Sequence, residues 1–460
     1  MESAEADLQA ALDTLEAHTG YAEVMAEAIE GRGVRFDKEQ IILSPTPNLR
    51  GAAFRAWNAG RWEEAACTSL GRAELLACAK SVARRIRSSG PRNPPGESPS
   101  GKDSRESPMK RPLSDLSVDD QIELARRIYG WGMQEPGIQN SIVTVGAGQD
   151  ERLFLSTAGA RRRQRITRAR AGIAPIAMES GKVDYDFDSV GGTGGLEVLD
   201  ILTEERVRDV AKASKQLLGA SAAPTGRMMV LLDASTSGTF AHESFGHGTE
   251  ADQFVRDRSY LRPILGSTVG PETLTLVDDG TYPGAWGSMF FDDEGHAAQR
   301  NVLVDHGRFV SVLTDRESAA ALHVAPSGNT RRADFLHRPF VRMTNTFVEP
   351  GDWSFDELLE EAKDGVYLQS CTSGIEDPLG GNMQIKVKKG RKIENGRLGP
   401  IFSSMALSGK VLDFLKGIRG VGKADAFEAQ PGFCGKGHTD LLPVSSGGSF
   451  VLSDAIVGPA

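Results

Sequence analysis

The chain has 460 residues and a mass of 49.3 kDa, which is too long for a single hydrophobic core, so two or three domains are expected. Hydrophobic residues at 39% and charged residues at 25% exclude a disordered chain. With 53 basic and 62 acidic side chains the net charge is −9, and the general electrostatic footprint of a nucleic-acid binder is absent.

The chain opens with MESAEADLQAALDTLEAH, in which Leu8, Ala11, Leu12 and Leu15 share one face of a helix over 4–17. This segment lacks the basic start and apolar centre of a secretion signal, so a cytoplasmic location is expected. Short alternating runs, AEVMAEAI, QIILSP and AAFRAW, follow between turn signals and predict an antiparallel meander. Helical spacing returns over 71–87. Residues 88–112, rich in Ser, Pro, Gly and charge, read as a flexible linker or loop. A second round begins with a helix over 117–130, strands at 140–147, 151–157, 164–171 and about 173–186, and a helix over 203–219. The glycine run 191–195 reads as a hinge. Residues 227–233, RMMVLLD, predict a buried strand. Beyond about 255 the chain is turn-rich and mostly β, with helices expected at 355–365 and 404–417. The expected class is α+β. A domain of two helix–β-meander units covers 1–220, and a β-rich domain carrying any metal site covers 221–460.

No run of about 18 apolar residues exists, so no membrane span is expected. Four cysteines, Cys67, Cys78, Cys371 and Cys434, are too few for a disulfide framework. The clearest chemical signal is His242-Glu243-Ser244-Phe245-Gly246-His247, just after the buried strand. Two imidazoles and an adjacent carboxylate suit a zinc peptidase, in which the histidines hold the metal and the carboxylate takes a proton from water. The usual spacing is HExxH; here it is HExxxH. Five steps of about 100° leave the two histidines about 140° apart on a regular α-helix. One metal therefore requires either a wide π-type turn between 242 and 247 or a helix that ends near Gly246. A third donor is also required. The candidates are Cys434, in a glycine turn beside Lys436, together with His438, Glu250 and Asp252. The run Asp292-Asp293-Glu294 reads as a turn that caps its own backbone amides.

The segment from about 226 to the end resembles the TldD/PmbA family, once described as modulators of DNA gyrase and understood as metallopeptidases. The matching residues are HESFGHGTEAD (242–252), DDGTYPGAWGS (278–288), FDDEG (291–295), NVLVDHGRF (301–309), SGNTRRADF (327–335), RMTNT (342–346) and CGKG (434–437). The resemblance implies that His242, His247 and Cys434 bind zinc, with iron the other metal to test, and that Glu243 is catalytic. It implies short or unfolded peptides as substrates and a dimer, either of two identical chains or with a TldE/PmbA-like chain. Family members of the PmbA (TldE) kind lack the HExxxH residues, so this chain looks like the active subunit. Two departures stand out. The chain reads Cys-Gly-Lys-Gly-His where the family usually has Cys-Gly-Lys-x-Gly-Gln, which brings His438 close as an additional donor. The 88–112 stretch is long and polar where the family is uninterrupted. The rival readings are a non-catalytic regulatory partner subunit and a DNA-topology modulator acting by direct contact.

Overall fold

The computed structural model describes residues 1–38, 40–44, 48–86, 94–115, 117–436 and 439–460. Helix Glu2–Glu16 buries Leu8, Ala11, Leu12 and Leu15 completely, and helix Arg72–Ala83 buries Leu75, Ala79 and Val82 beside them. Their shared floor is Val24, Phe54, Leu153 and Leu155 of a nine-stranded sheet. Each fully buried leucine contributes about 1.5–3 kcal/mol to holding this layer together. The second unit repeats the device. Helix Val118–Gly132, opened by a reciprocal Ser117–Asp120 capping box, and helix Glu204–Leu217 place Ala125, Ile128 and Val207 over Val143, Val145, Ala171 and Ile173. The two units meet where strand Ala22–Phe36 pairs antiparallel with strand Ile138–Ser156, from Glu23↔Ser156 to Phe36↔Val143.

Several expected boundaries move. The breaks after 147 and 171 are absent, because Ile138–Ser156 and Ala160–Glu179 are each one long strand. Gly148 lies opposite Gly31, and a Cβ there would stand 2.9 Å from the Glu30 carbonyl oxygen. That glycine permits close approach within a strand and does not mark a turn. Part of the expected 88–112 linker is ordered: Gly101–Glu106 pairs in parallel with Ala160–Arg165, while 87–93 lie outside the described residues. This edge strand is polar and exposed, so hydrophobic periodicity could not signal it. The expected hinge at 191–195 lies largely in strand Asp188–Thr193. A Cβ on Gly192 would meet the Gly284 carbonyl oxygen at 2.1 Å, and one on Gly195 the Arg111 carbonyl oxygen at 1.9 Å, so these glycines are packing points.

In the second half, strands Gly226–Leu232, Gly365–Glu376, Asn382–Glu394, Arg397–Lys410 and Val451–Pro459 pair in a ring that closes on itself. The helix expected at 404–417 splits into the end of strand Arg397–Lys410 and a short helix Val411–Lys416. Met405, Ala406 and Leu407 are all buried, so both faces of the strand are covered here and the two-residue period is hidden. A second sheet runs in the order Arg308–Phe309, Arg300–Asp305, Leu276–Asp279, Asn345–Val348, Thr439–Gly448, Glu428–Lys436. Phe240, Phe245 and Phe254 fill the core shared by the ring and this sheet. They anchor the segment that carries the HExxxH residues.

The two halves are locked by the 291–295 loop. Arg152 grips Asp293 through two contacts of 2.6 and 2.9 Å, and Arg55 reaches Glu294 at 3.4 Å. Asp292 accepts from the backbone N–H groups of Glu294, His296 and Thr330, so the run is a capped turn and an inter-half anchor. Among the described residues no helix is long and apolar enough to cross a membrane.

Candidate metal centre

The helix carrying the motif starts at Asp233, whose carboxylate accepts from Thr236 N–H at 2.8 Å and from Ser370 N–H at 2.9 Å. It is α-helical over Ala234–Thr239 and then widens into a π-helix over Phe240–Gly246. The His247 N–H donates to the His242 carbonyl, five residues back, and a short 3₁₀ turn follows. This is the first of the two remedies the spacing allowed. The role expected of Gly246 changes, however. Its φ of −56° and ψ of −50° are ordinary helical values. What it supplies is room: a Cβ there would stand 2.1 Å from the Met343 Sδ. Gly246→Ala is expected to lower stability by about 1–3 kcal/mol through overpacking, read as a lower thermal midpoint.

The wide turn brings the two imidazoles face to edge, with ring centres 5.3 Å apart and planes at 83°. Cys434, on the hairpin strand Glu428–Lys436, reaches them from nearly 190 residues away in sequence. Its Sγ lies 3.3 Å from His247 Nε2, and the donor atoms of His242, His247 and Cys434 all lie within 4.8 Å of one another. That is the scale set by two metal bonds of about 2.0–2.3 Å. His242 Nε2 is buried and has no hydrogen-bond partner. An orphaned ring nitrogen beside a cysteine sulfur fits a metal ion held by two imidazoles and a thiolate.

Each histidine is oriented from behind. Thr346 Oγ1 donates to Asp278 at 2.9 Å and lies 3.5 Å from His242 Nδ1. The hydroxyl proton is therefore used, and the ring's Nδ1–H is the donor to Thr346. On the other side, His247 Nδ1 lies 3.3 Å from Glu250. Both arrangements put the proton on Nδ1 and leave Nε2 free to coordinate. Glu250 is itself held by Lys436 at 2.9 Å, and Arg342 stands 3.9 Å away. Burial pushes the Glu250 carboxyl up, but Lys436 and His247 outweigh it and hold it down to about 2. Burial likewise opposes ionisation of the Cys434 thiol, and His242 and His247 in their protonated, positively charged forms outweigh it, bringing it down to about 4. The thiolate is the form that binds metal. Glu250→Gln is expected to weaken metal affinity about 10–100-fold, measured by competition with a chromophoric chelator.

Glu243 sits beside the triad, with its carboxylate 3.7 Å from His247 Nε2. The strand Gly365–Glu376 presses against its stem, because a Cβ on Gly374 would meet Glu243 Cγ at 2.7 Å. The other sequence candidates fall elsewhere. Glu250 lies behind His247, and Asp252 is paired with Lys436 at 2.8 Å. His438 lies outside the described residues. Cys67 and Cys78 pack in the core under the first two helices.

Residues 225–454 match the PmbA/TldA metallopeptidase C-terminal domain, and residues 111–222 match the central domain of the same proteins. The chain belongs to the TldD/PmbA family. It is 34% identical over 344 residues to a metalloprotease of Methanocaldococcus jannaschii, covering 75% of each chain. It is 39% identical over 355 residues to a metalloprotease of Archaeoglobus fulgidus, covering 76% of this chain and 80% of the relative. A zinc metalloprotease TldD homolog of Saccharolobus solfataricus is 28% identical over 280 residues, covering 60% of this chain and 61% of the relative. Two crystal structures share the fold across 99% of this chain. A putative modulator of DNA gyrase from Thermotoga maritima has a TM-score of 0.80 at 19% identity and is covered completely. TldE from Thermococcus kodakarensis, also covered completely, has a TM-score of 0.76 at 16% identity.

Within this TldD/PmbA chain, sequence reasoning missed the supporting shell. Asp278, Thr346 and Arg342 all lie in segments that carried the resemblance, DDGTYPGAWGS and RMTNT, yet nothing in their spacing pointed to His242 or Cys434. Arg342 ties the hairpin down by donating to the Cys434 carbonyl, and Lys436 holds Glu250. A lysine two residues after a candidate thiolate was the one available signal.

Proposed function

We infer that the chain is a zinc-dependent peptidase acting on short or unfolded peptides, with His242 Nε2, His247 Nε2 and Cys434 Sγ as the protein ligands. The observation that carries this reading is the convergence of those three atoms beside the Glu243 carboxylate. The relatives named metalloproteases, one of them a zinc metalloprotease, support it. When bound, the ion supplies a Lewis acid that polarises the scissile carbonyl and acidifies a water molecule. The chain's own part is proton transfer and alignment. Glu243 takes a proton from the attacking water and hands it to the leaving amine nitrogen. Glu250 and Thr346 keep both Nε2 atoms turned inward, so the donor set exists before substrate arrives.

The second reading is a non-catalytic partner subunit in a TldD/TldE-type assembly, suggested by the TldE structure among the fold neighbours. The full donor set with an adjacent glutamate favours the catalytic subunit. Its proposed setting is the cytoplasm, as a homodimer or paired with a TldE/PmbA-like chain. The deciding experiment joins metal analysis of the purified chain with cleavage of an unstructured peptide. About one zinc per chain, with cleavage lost on chelation and restored by zinc, is the expected result. Stoichiometric zinc with no cleavage, alone or with a TldE-like chain added, would favour the partner-subunit reading. Iron in place of zinc would correct the metal.

A further inference from the structure

A cavity of about 470 Å³ lies where the two halves of the chain meet, apart from the His–His–Cys cluster. Its volume falls within the range of roughly 300–1,000 Å³ typical of small-molecule sites. Six carboxylates line it: Asp186, Asp188, Glu205, Asp209, Asp233 and Glu428. Among the lining residues only Arg206 and Lys389 are basic, while Lys212, off the wall, pairs with Asp209 at 3.1 Å. Arg206 is already shared between Asp188 and Glu428, and Lys389 is bound to Asp186 Oδ2. The wall is therefore short of positive charge.

One atom shows where that charge belongs. Asp186 is 1% exposed, and its second oxygen, Oδ1, is buried with no hydrogen-bond partner. A buried carboxylate oxygen left without a donor is costly, and a ligand that brings an N–H to it recovers that cost. Among the described residues no three ligand groups here lie close enough to cage a metal ion; the His242–His247–Cys434 cluster is the one that does. The cavity therefore suits a larger cation with directional N–H donors. We propose that it is a binding site for an organic cation bearing primary ammonium groups, with one ammonium donating to Asp186 Oδ1 and a second end facing Glu205 and Asp209 at the exposed rim. A free polyamine and a lysine side chain of a peptide both carry this chemistry. The site lies on elements of both halves: Asp233 caps the helix that carries His242, and Glu428 opens the hairpin strand that carries Cys434. It is independent of the metallopeptidase reading, since its test measures binding and needs no turnover.

The test is calorimetric titration of spermidine into the full-length protein at roughly 0.15 M ionic strength, where surface charge is screened beyond about 8 Å. Saturable binding is expected, weakened about tenfold or more by Asp186→Asn, in line with the loss of a charged hydrogen bond. Because Asp186 is buried, the rim variant Glu205→Gln/Asp209→Asn provides a second arm. It should weaken binding several-fold with the thermal midpoint unchanged. A lysine-containing peptide and its acetyl-lysine twin separate the two sources. Binding of the first alone, displaced by spermidine, assigns the site to a peptide side chain, and binding of spermidine alone assigns it to the free amine. The proposal is overturned if neither binds saturably, or if both variants bind spermidine as the unmodified protein does.

Discussion

The Cys434→Ala protein is expected to fold and to purify with almost no metal, its affinity down by at least about a hundredfold. Loss of an orienting neighbour of a metal ligand commonly costs about 10–100-fold, and loss of a ligand itself should exceed that. The geometry makes the thiolate hard to replace. Cys434 is 3% exposed, its Sγ is 3.3 Å from His247 Nε2, and Arg342 pins its backbone carbonyl. With the sulfur gone, two imidazoles remain, one fewer than the three protein ligands a catalytic zinc site normally has. Circular dichroism should be unchanged, because the hairpin is held by its ladder from Glu428↔Gly448 to Cys434↔Leu442. Cys67→Ala serves as the control: this cysteine lies against the first helical layer and should leave the metal in place. If the Cys434 variant retains stoichiometric metal at wild-type affinity, the third ligand is another group.

The site was legible in the sequence to the extent that its chemistry is local. His242, Glu243 and His247 stand within six residues, and the five-residue spacing alone forced a choice between a widened and a truncated helix. The wide turn then follows from ordinary backbone angles, with Gly246 making room for Met343. Cys434 was visible only as a thiol in a glycine turn. Its approach to His247 depends on strand Asn345–Val348 pairing in parallel with Thr439–Gly448, a long-range register that no local pattern encodes. Asp278 and Thr346 were obscure for the same reason, because Thr346 meets His242 and Asp278 only through tertiary packing, whereas Glu250, three residues after His247, was already a candidate from its position in the motif. In the fold, the helices with clear apolar stripes were readable. Strands covered on both faces or polar on both, such as 404–410 and 101–106, were not, because burial on two faces or on none removes the alternation that marks a strand.

Glu243→Gln is expected to keep its metal and to lose peptide cleavage by about 10²–10⁴-fold, the range general-base catalysis commonly supplies. The substitution preserves shape. The amide has the same length and branching, and the stem remains clamped by the strand at Gly374. The triad is untouched, since His242, His247 and Cys434 take their orientation from Thr346, Glu250 and Arg342. What the amide lacks is a site that takes up a proton at neutral pH. The loss should therefore fall on kcat, with KM changed little, because substrate affinity does not depend on that proton. Metal analysis of the same sample separates the two outcomes that would both look inactive. Stoichiometric metal with lost turnover assigns Glu243 to proton transfer. Lost metal together with lost turnover assigns it to holding His247, 3.7 Å away, and cleavage at the wild-type rate would remove it from the mechanism.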